Sequence, residues 1–186
     1  MFWKRTNIDD TEIKLAGEEL KRGSAEAFHL LYNQYNQKVY RFCLRMLGNE
    51  DAAKDAFQDI FIKVYEHRTD FRGENFAAWL FTISRHTCYN MIRMSKDHDQ
   101  LEEAHHLSAK ESQSDVGLQD CIQKALDTLP IALKEAIVLR EYQDLSYQEI
   151  AEVMGIEVSL AKVRVFRARE IMRKILTPIK QELYES

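Results

Sequence analysis

Only two prolines, Pro130 and Pro178, and six glycines punctuate 186 residues. A many-stranded sheet needs a turn every few residues, so this scarcity disfavours strands and leaves helices. Apolar spacing agrees. Phe28, Leu31, Tyr32, Tyr35, Val39, Phe42, Cys43, Met46 and Leu47 recur at three- and four-residue steps, and Gly48-Asn49 ends the run. Ala53, Ala56, Phe57, Ile60, Phe61, Val64 and Tyr65 predict a second helix. A loop from Arg68 to Asn75 leads to a third, carrying Phe76, Trp79, Leu80, Ile83, Thr87 and Met91. A short leading helix around Ile13 to Lys21 is expected to pack on these three.

Apolar residues at 45% and charged residues at 30% supply a packed core and exclude wholesale disorder. No run approaches 18 apolar residues, so no membrane insertion is expected. The first ten residues lack the apolar stretch and cleavage site of a signal peptide. Cys43, Cys88 and Cys121 stand singly, which gives neither a disulfide framework nor paired metal ligands. The expectation is a cytoplasmic all-α protein without metal or cofactor. Its net charge of -4 argues against a nucleic-acid partner until it is divided along the chain. Residues 1–94 carry 14 basic and 13 acidic side chains, residues 95–126 carry 3 and 7, and residues 127–186 carry 9 and 10. The deficit sits in a polar, serine-bearing middle segment that reads as a flexible acidic linker between two small helical domains.

Beyond the linker, Leu118, Ile122, Leu126 and Leu129 form an apolar set. Pro130 suits the first turn of the helix that follows. Ser146-Tyr-Gln-Glu149 is a capping box, in which serine accepts the N3 amide and glutamate reaches back to the cap. Gly155 ends that helix in left-handed geometry, and Ser159 begins another. Ala161, Val165, Ala168 and Met172 share one face of this second helix. Lys162, Arg164, Arg167, Arg169, Arg173 and Lys174, against Glu170 alone, put a charge of +5 into 13 residues. A compact helix, a short turn and a basic second helix are what major-groove reading requires. An ordinary capped hairpin with a solvated basic face is the simpler alternative.

Two further surfaces stand out in the N-terminal block. Thr82, Arg85, His86, Tyr89, Asn90 and Arg93 form a band on the third helix, where cations can neutralise phosphates and an aromatic or amide can meet a base. Phe71, Arg72 and Asn75 in the preceding loop can wrap one flipped nucleotide. On the second helix, Asp51, Asp55, Gln58, Asp59 and Glu66 form an acidic stripe that would repel DNA and suits water or a basic protein.

Together these segments resemble the extracytoplasmic-function (ECF) group of sigma factors of bacterial RNA polymerase. The stretch from Ala27 to Arg93 looks like their region 2. Within it, Asp51-Ala-Ala-Lys-Asp-Ala-Phe-Gln-Asp-Ile-Phe61 is similar to the motif that docks on the polymerase clamp helices. Phe76-Ala-Ala-Trp-Leu-Phe-Thr-Ile-Ser-Arg85 resembles the segment that opens and reads the −10 element. Leu126 through Arg169 looks like region 4, the reader of the −35 element. The resemblance implies region 2 over residues 1–94, a linker over 95–117 and a helix-turn-helix region 4 over 118–186. It also implies site residues: Asp51, Asp55, Gln58 and Asp59 for core polymerase; Phe71, Arg72, Asn75, Trp79, Arg85, Tyr89, Asn90 and Arg93 for −10 DNA; and Ser159, Lys162, Val163, Arg164, Phe166 and Arg167 for −35 DNA. Core polymerase, promoter DNA and an anti-sigma factor are the implied partners, and the linker is expected to thread the polymerase near its RNA exit path. Val163 stands where the family more often has a polar residue; it can touch a thymine methyl but makes no bidentate bond.

Two rival readings are weaker. Glu26-Ala-Phe-His29 and Glu102-Glu-Ala-His105 fit the Glu-x-x-His pattern of di-iron bundles, but no core face supplies two further glutamates. A conventional helix-turn-helix regulator would pair its reader with a ligand pocket or receiver domain and bind as a symmetric dimer. The N-terminal block offers neither.

Overall fold

The computed structural model describes residues 9–72, 75–102 and 117–184, and all regular structure within them is helical. The helices are α1 (Asp10–Lys21), α2 (Ala25–Leu47), α3 (Glu50–Glu66), α4 (Phe76–Glu102), α5 (Leu118–Asp127), α6 (Ile131–Gln143), α7 (Tyr147–Met154) and α8 (Val158–Tyr184), with one 3-10 turn at Arg68–Asp70. Residues 103–116 of the expected linker lie outside the described residues, as do Gly73 and Glu74. The rest of the linker differs from expectation, because α4 continues through residue 94 to Glu102. The second helix of the helix-turn-helix is also longer than its turn chemistry suggests, running 27 residues with Pro178 inside it.

Short-range polar bonds set the helix starts. Asp9 and Glu12 form a capping box on α1. Ser24 accepts from the Ala27 amide at 3.2 Å, and Asn49 from the Ala52 amide at 2.9 Å. Asn75 Oδ1 accepts from the Ala78 amide at 3.0 Å at the start of α4. Each bond satisfies an amide that lacks a partner inside its own helix. Gly48 closes α2 in the left-handed region (φ 69°) and lets the chain reverse directly into α3.

The first four helices bury Leu20, Leu31, Val39, Phe42, Ile60 and Phe81 in one core. Phe42 and Phe81 meet edge to face, with centroids 5.5 Å apart. The C-terminal unit packs on this core: α6 lies against α2, and α7 against α4. Leu126, Ala136, Val138 and Leu139 of that unit are fully or almost fully buried.

Candidate nucleic-acid interface

In the helix-turn-helix, Ser146 Oγ accepts from the Glu149 amide at 3.2 Å, and Glu149 Oε2 accepts from the Ser146 amide at 2.7 Å. Both halves of the capping box are therefore formed. Gly155 ends α7 at φ 62°, and the Ile156 amide donates back to the Ala151 carbonyl at 3.0 Å, the bond that turns the chain after a left-handed stop. Ala161, Val165 and Ala168 are fully buried beneath α8, and small residues there allow α7 and α8 to cross closely.

The opposite face of α8 is open. Ser159, Lys162 and Arg167 are exposed, and Val163 and Phe166 are 42% and 62% exposed between the cations. Arg164 is half-buried, and its charge acts on the carboxyl of Glu135. Arg169 leaves this face to bond Glu141 of α6 through both Nε, at 2.8 Å, and Nη2, at 2.5 Å. Of the six basic residues read as one cluster, Arg169 thus serves as a brace within the unit.

On α3, Asp51, Asp55 and Gln58 are exposed. Asp59 is half-buried, with its carboxylate 2.6 Å from Lys63 Nζ. Lys54 bridges Glu50 and Asp51, which holds the Lys54 ammonium above its ordinary pKa through the Asp51 hydrogen bond and charge. Ile62 and Tyr65, 56% and 43% exposed, extend the acidic face with apolar surface.

The α4 face is differently placed. Arg72, Asn90 and Arg93 are exposed, but Phe71 is a correction to the loop reading. It is only 2% exposed, its ring lies 5.6 Å from Phe76 and 5.4 Å from Trp79, and Gly17 of α1 leaves the space it fills. A large aromatic loses more free energy in water than a loop position gains by flexibility, so the ring joins the core. Trp79 is half-buried in the same cluster.

Arg85, Tyr89 and Asn75 face the C-terminal unit. Arg85 Nε donates to Glu135 Oε1, and the Tyr89 hydroxyl donates to Glu135 Oε2 at 2.9 Å. The Arg85 guanidinium also lies over the Tyr89 ring, 4.8 Å from its centroid. Asn75 Nδ2 donates to Glu149 Oε1 at 2.9 Å. Glu135 is completely buried; desolvation raises its pKa, against the opposing pull of Arg85 and Tyr89. Burial and the Glu135 charge push Tyr89 up to about 12, which keeps its hydroxyl a proton donor. Burial also pushes Glu149 upward, but bonds from Asn75 and Ser146 outweigh it and leave the pKa lowered. Next to Glu135, Lys134 donates to the Met46 carbonyl of α2 at 2.9 Å and to Asp127 at 2.7 Å.

Glu135 and Lys134 were not foreseen as site residues. The available signal was a charged pair inside the otherwise apolar run Ile131-Ala-Leu-Lys-Glu-Ala-Ile-Val-Leu139. A helix charged there and packed on several sides must pair its charges.

Among the described residues no group of three or more His, Cys, Asp or Glu side chains could hold a metal, and no helix is long and apolar enough to cross a membrane. The di-metal reading therefore gains no site within them; His105 of the second motif lies outside them.

The described residues, all-helical in their regular structure, thus combine a capped helix-turn-helix and its open cationic face with a separate acidic helix face, the arrangement of a DNA-binding protein suited also to a protein partner. Comparisons with known proteins define the family. Residues 31–97 match the model of Sigma-70 region 2, and residues 119–172 that of Sigma-70 region 4. RNA polymerase sigma-H factor of Pseudomonas aeruginosa is 33% identical over 89% of this chain and 94% of its own length. The ECF sigma-E factor of Haemophilus influenzae is 31% identical over 87% and 94%. The chain belongs to the ECF group of RNA polymerase sigma factors. Two solved structures share its fold at a TM-score of 0.71. One is the sigma factor RpoE of Bartonella quintana in complex with the anti-sigma factor NepR, 26% identical over 82% of this chain and 98% of that one. The other is CnrH in complex with the cytosolic domain of CnrY, 23% identical over 90% and 98%.

Proposed function

We propose that this chain binds core RNA polymerase and directs it to promoters through two DNA-reading surfaces, catalysing no reaction itself. Family membership and the presence of both regions in order support this reading. The single observation that carries it furthest is the open face of α8, where Lys162 and Arg167 flank exposed Val163 and Phe166 beside a correctly capped α7. Cations there neutralise phosphates, and the side chains between them are free to meet base edges.

In this reading, residues 1–94 form the polymerase-docking and −10 unit, 95–117 the linker, whose first residues through Glu102 extend α4, and 118–186 the −35 unit. Asp51, Asp55, Gln58 and Asp59 dock on the polymerase. Arg72, Asn75, Arg85, Tyr89, Asn90 and Arg93 contact −10 DNA, with Trp79 and the buried Phe71 shaping the loop beneath them. Ser159, Lys162, Val163, Arg164, Phe166 and Arg167 read −35 DNA. The protein acts in the cytoplasm, where polymerase and chromosome are, and an anti-sigma factor restrains it, as NepR accompanies the Bartonella protein.

The test is run-off transcription by core polymerase plus this chain over a random promoter library, followed by variants on one selected promoter. Asp55→Arg with Asp59→Arg should abolish core binding in a pull-down while leaving helicity intact, because Asp55 is exposed and exchanging the Asp59–Lys63 attraction for a repulsion costs only about 1 kcal/mol. Lys162→Ala with Arg167→Ala should lower the slope of log affinity against log salt by about 2, one step of about 0.9 per lost phosphate contact. Tight palindrome-specific binding by the free chain, with no dependence on polymerase, would instead establish a conventional regulator.

A further inference from the structure

The open face of α8 offers fewer hydrogen-bond donors than its run of basic residues suggests. At about 100° per residue, Ser159, Val163 and Phe166 fall within about 60° of one another, on the side away from the buried Ala161, Val165 and Ala168. They belong to the first turns of the second helix, the part that a helix-turn-helix offers to base edges. Val163 and Phe166, 42% and 62% exposed, therefore put two apolar side chains at the centre of the reading face. The arginines around them are engaged elsewhere. Arg169 bonds Glu141 through two nitrogens, and Arg164 is half-buried with its charge on Glu135. Arg140 of α6 donates to the Leu145 carbonyl at 2.7 Å and lies over the Tyr147 ring, 4.9 Å from its centroid. Lys162 leans to that same ring, with Nζ 5.9 Å from the centroid, which sets it at the margin of the face. Arg167 keeps an exposed guanidinium at the other margin. Glu170, one turn beyond Phe166, carries acceptors alone.

Guanine and adenine are read in the major groove by bidentate donors, and neither valine nor phenylalanine has one. What these two side chains can meet is the 5-methyl group of thymine, the apolar mark of that groove. Three residues advance a helix by about 4.5 Å, near the base step of about 3.4 Å. We propose that thymine methyl groups determine the −35 sequence of this chain: Val163 and Phe166 cover the 5-methyl groups of two adjacent A·T pairs, while Lys162 and Arg167 hold the flanking phosphates. This rests on the reading of α8 as the −35 recognition helix. Ser159 lies on the same face one turn earlier, and a hydroxyl bonds several bases alike, so it adds little discrimination. Covering one methyl is worth about fourfold in affinity, the gain from taking one methyl-sized apolar group out of water.

The test uses holoenzyme, assembled from core polymerase and the full chain, on a promoter that it selects from a random library. Each thymine of the −35 segment is replaced in turn by deoxyuridine, which removes the 5-methyl group and keeps every Watson–Crick bond. Holoenzyme binding should weaken about fourfold at each of two adjacent base pairs and about 15-fold when both are changed, with no effect at other thymines. In Val163→Ala and Phe166→Ala holoenzymes the preference for thymine over deoxyuridine should vanish at one base pair each. Lys162→Ala should weaken binding to both templates alike and leave the preference intact. Val163 and Phe166 are exposed, so the alanine variants should melt with the wild type by circular dichroism. A selected −35 segment without adjacent A·T pairs, or a deoxyuridine effect below about 1.5-fold at every position, would overturn the proposal. So would a deoxyuridine effect that both alanine variants retain. Failure of the underlying reading has its own signature: scrambling the whole −35 segment would leave holoenzyme affinity unchanged, which overturns both. A −35 contact that depends on sequence and ignores the methyl groups overturns the methyl assignment alone.

Discussion

Replacing Phe71 separates its packing from any contact with DNA. The ring is 2% exposed, set edge to face with Phe76 and tilted against Trp79, and it fills the space that Gly17 leaves on α1. Burying a phenylalanine removes roughly 150–250 Å² from water, worth about 4–6 kcal/mol at about 25 cal/mol per Å² as an upper bound. Core Phe→Ala replacements cost about 3–5 kcal/mol. Phe71→Ala should therefore lose about 3–4 kcal/mol, and the midpoint of thermal unfolding by circular dichroism should fall by roughly 10 °C for a chain of this length. The glycine supplies an internal control. A Cβ on Gly17 would sit 2.5 Å from Phe71 Cε1, so Gly17→Ala should destabilise the wild type by about 1–3 kcal/mol through overpacking. In the Phe71→Ala background the clash is gone, and the same change should be neutral or stabilising by up to about 1 kcal/mol, because alanine is the better helix former. A double-mutant cycle by urea unfolding measures that reversal. Additive effects, or a Phe71→Ala midpoint within about 2 °C of wild type, would refute the packing assignment and return the ring to the loop.

Two other expectations can be checked directly. The buried Glu135 carboxyl has a raised pKa, chiefly from desolvation, with Arg85, Tyr89 and Arg164 opposing it. Its protonated form is favoured in the folded state, so its contribution to stability is fully present below the ordinary carboxylate value of about 4.5 and is lost as pH rises through the raised value. The melting-temperature difference between wild type and Glu135→Gln should therefore shift towards wild type as pH falls from 7 to about 4.5; a flat or opposite trend would refute the assignment. For the thiols, Cys121 is partly exposed, whereas Cys43 and Cys88 are buried and the Cys88 contact and burial push the Cys43 thiol far upward. Iodoacetamide at pH 8 should modify Cys121 at least tenfold faster than Cys43 in the native chain, with all three equal in urea. Mass spectrometry of tryptic peptides reads the order, and early labelling of Cys43 would contradict the packed α2–α4 contact.

Local features of this chain were legible because their physics is local. A capping box closes over three residues, so Ser146 and Glu149 announced α7, and Gly155 announced its end. The apolar steps from Phe28 to Leu47 predicted α2, and Gly48 stands in the left-handed conformation its position required. The open residues of α8 and the acidic face of α3 could be placed from helical period alone. Single-helix reasoning failed where a residue's environment comes from far along the chain. The acceptors of Arg85 and Tyr89 lie 50 and 46 residues away on α6, and nothing near either residue indicates them. Phe71 looked like a loop residue because the glycine that makes room for it is on α1. Helical period, the Ser146 cap, the Gly48 and Gly155 stops and the family were all present in the chain's own order of residues, but the run of α4 to Glu102 was not. Only the tertiary structure decided which charges are spent inside the molecule, because burial and pairing depend on what the other helices bring to each side chain.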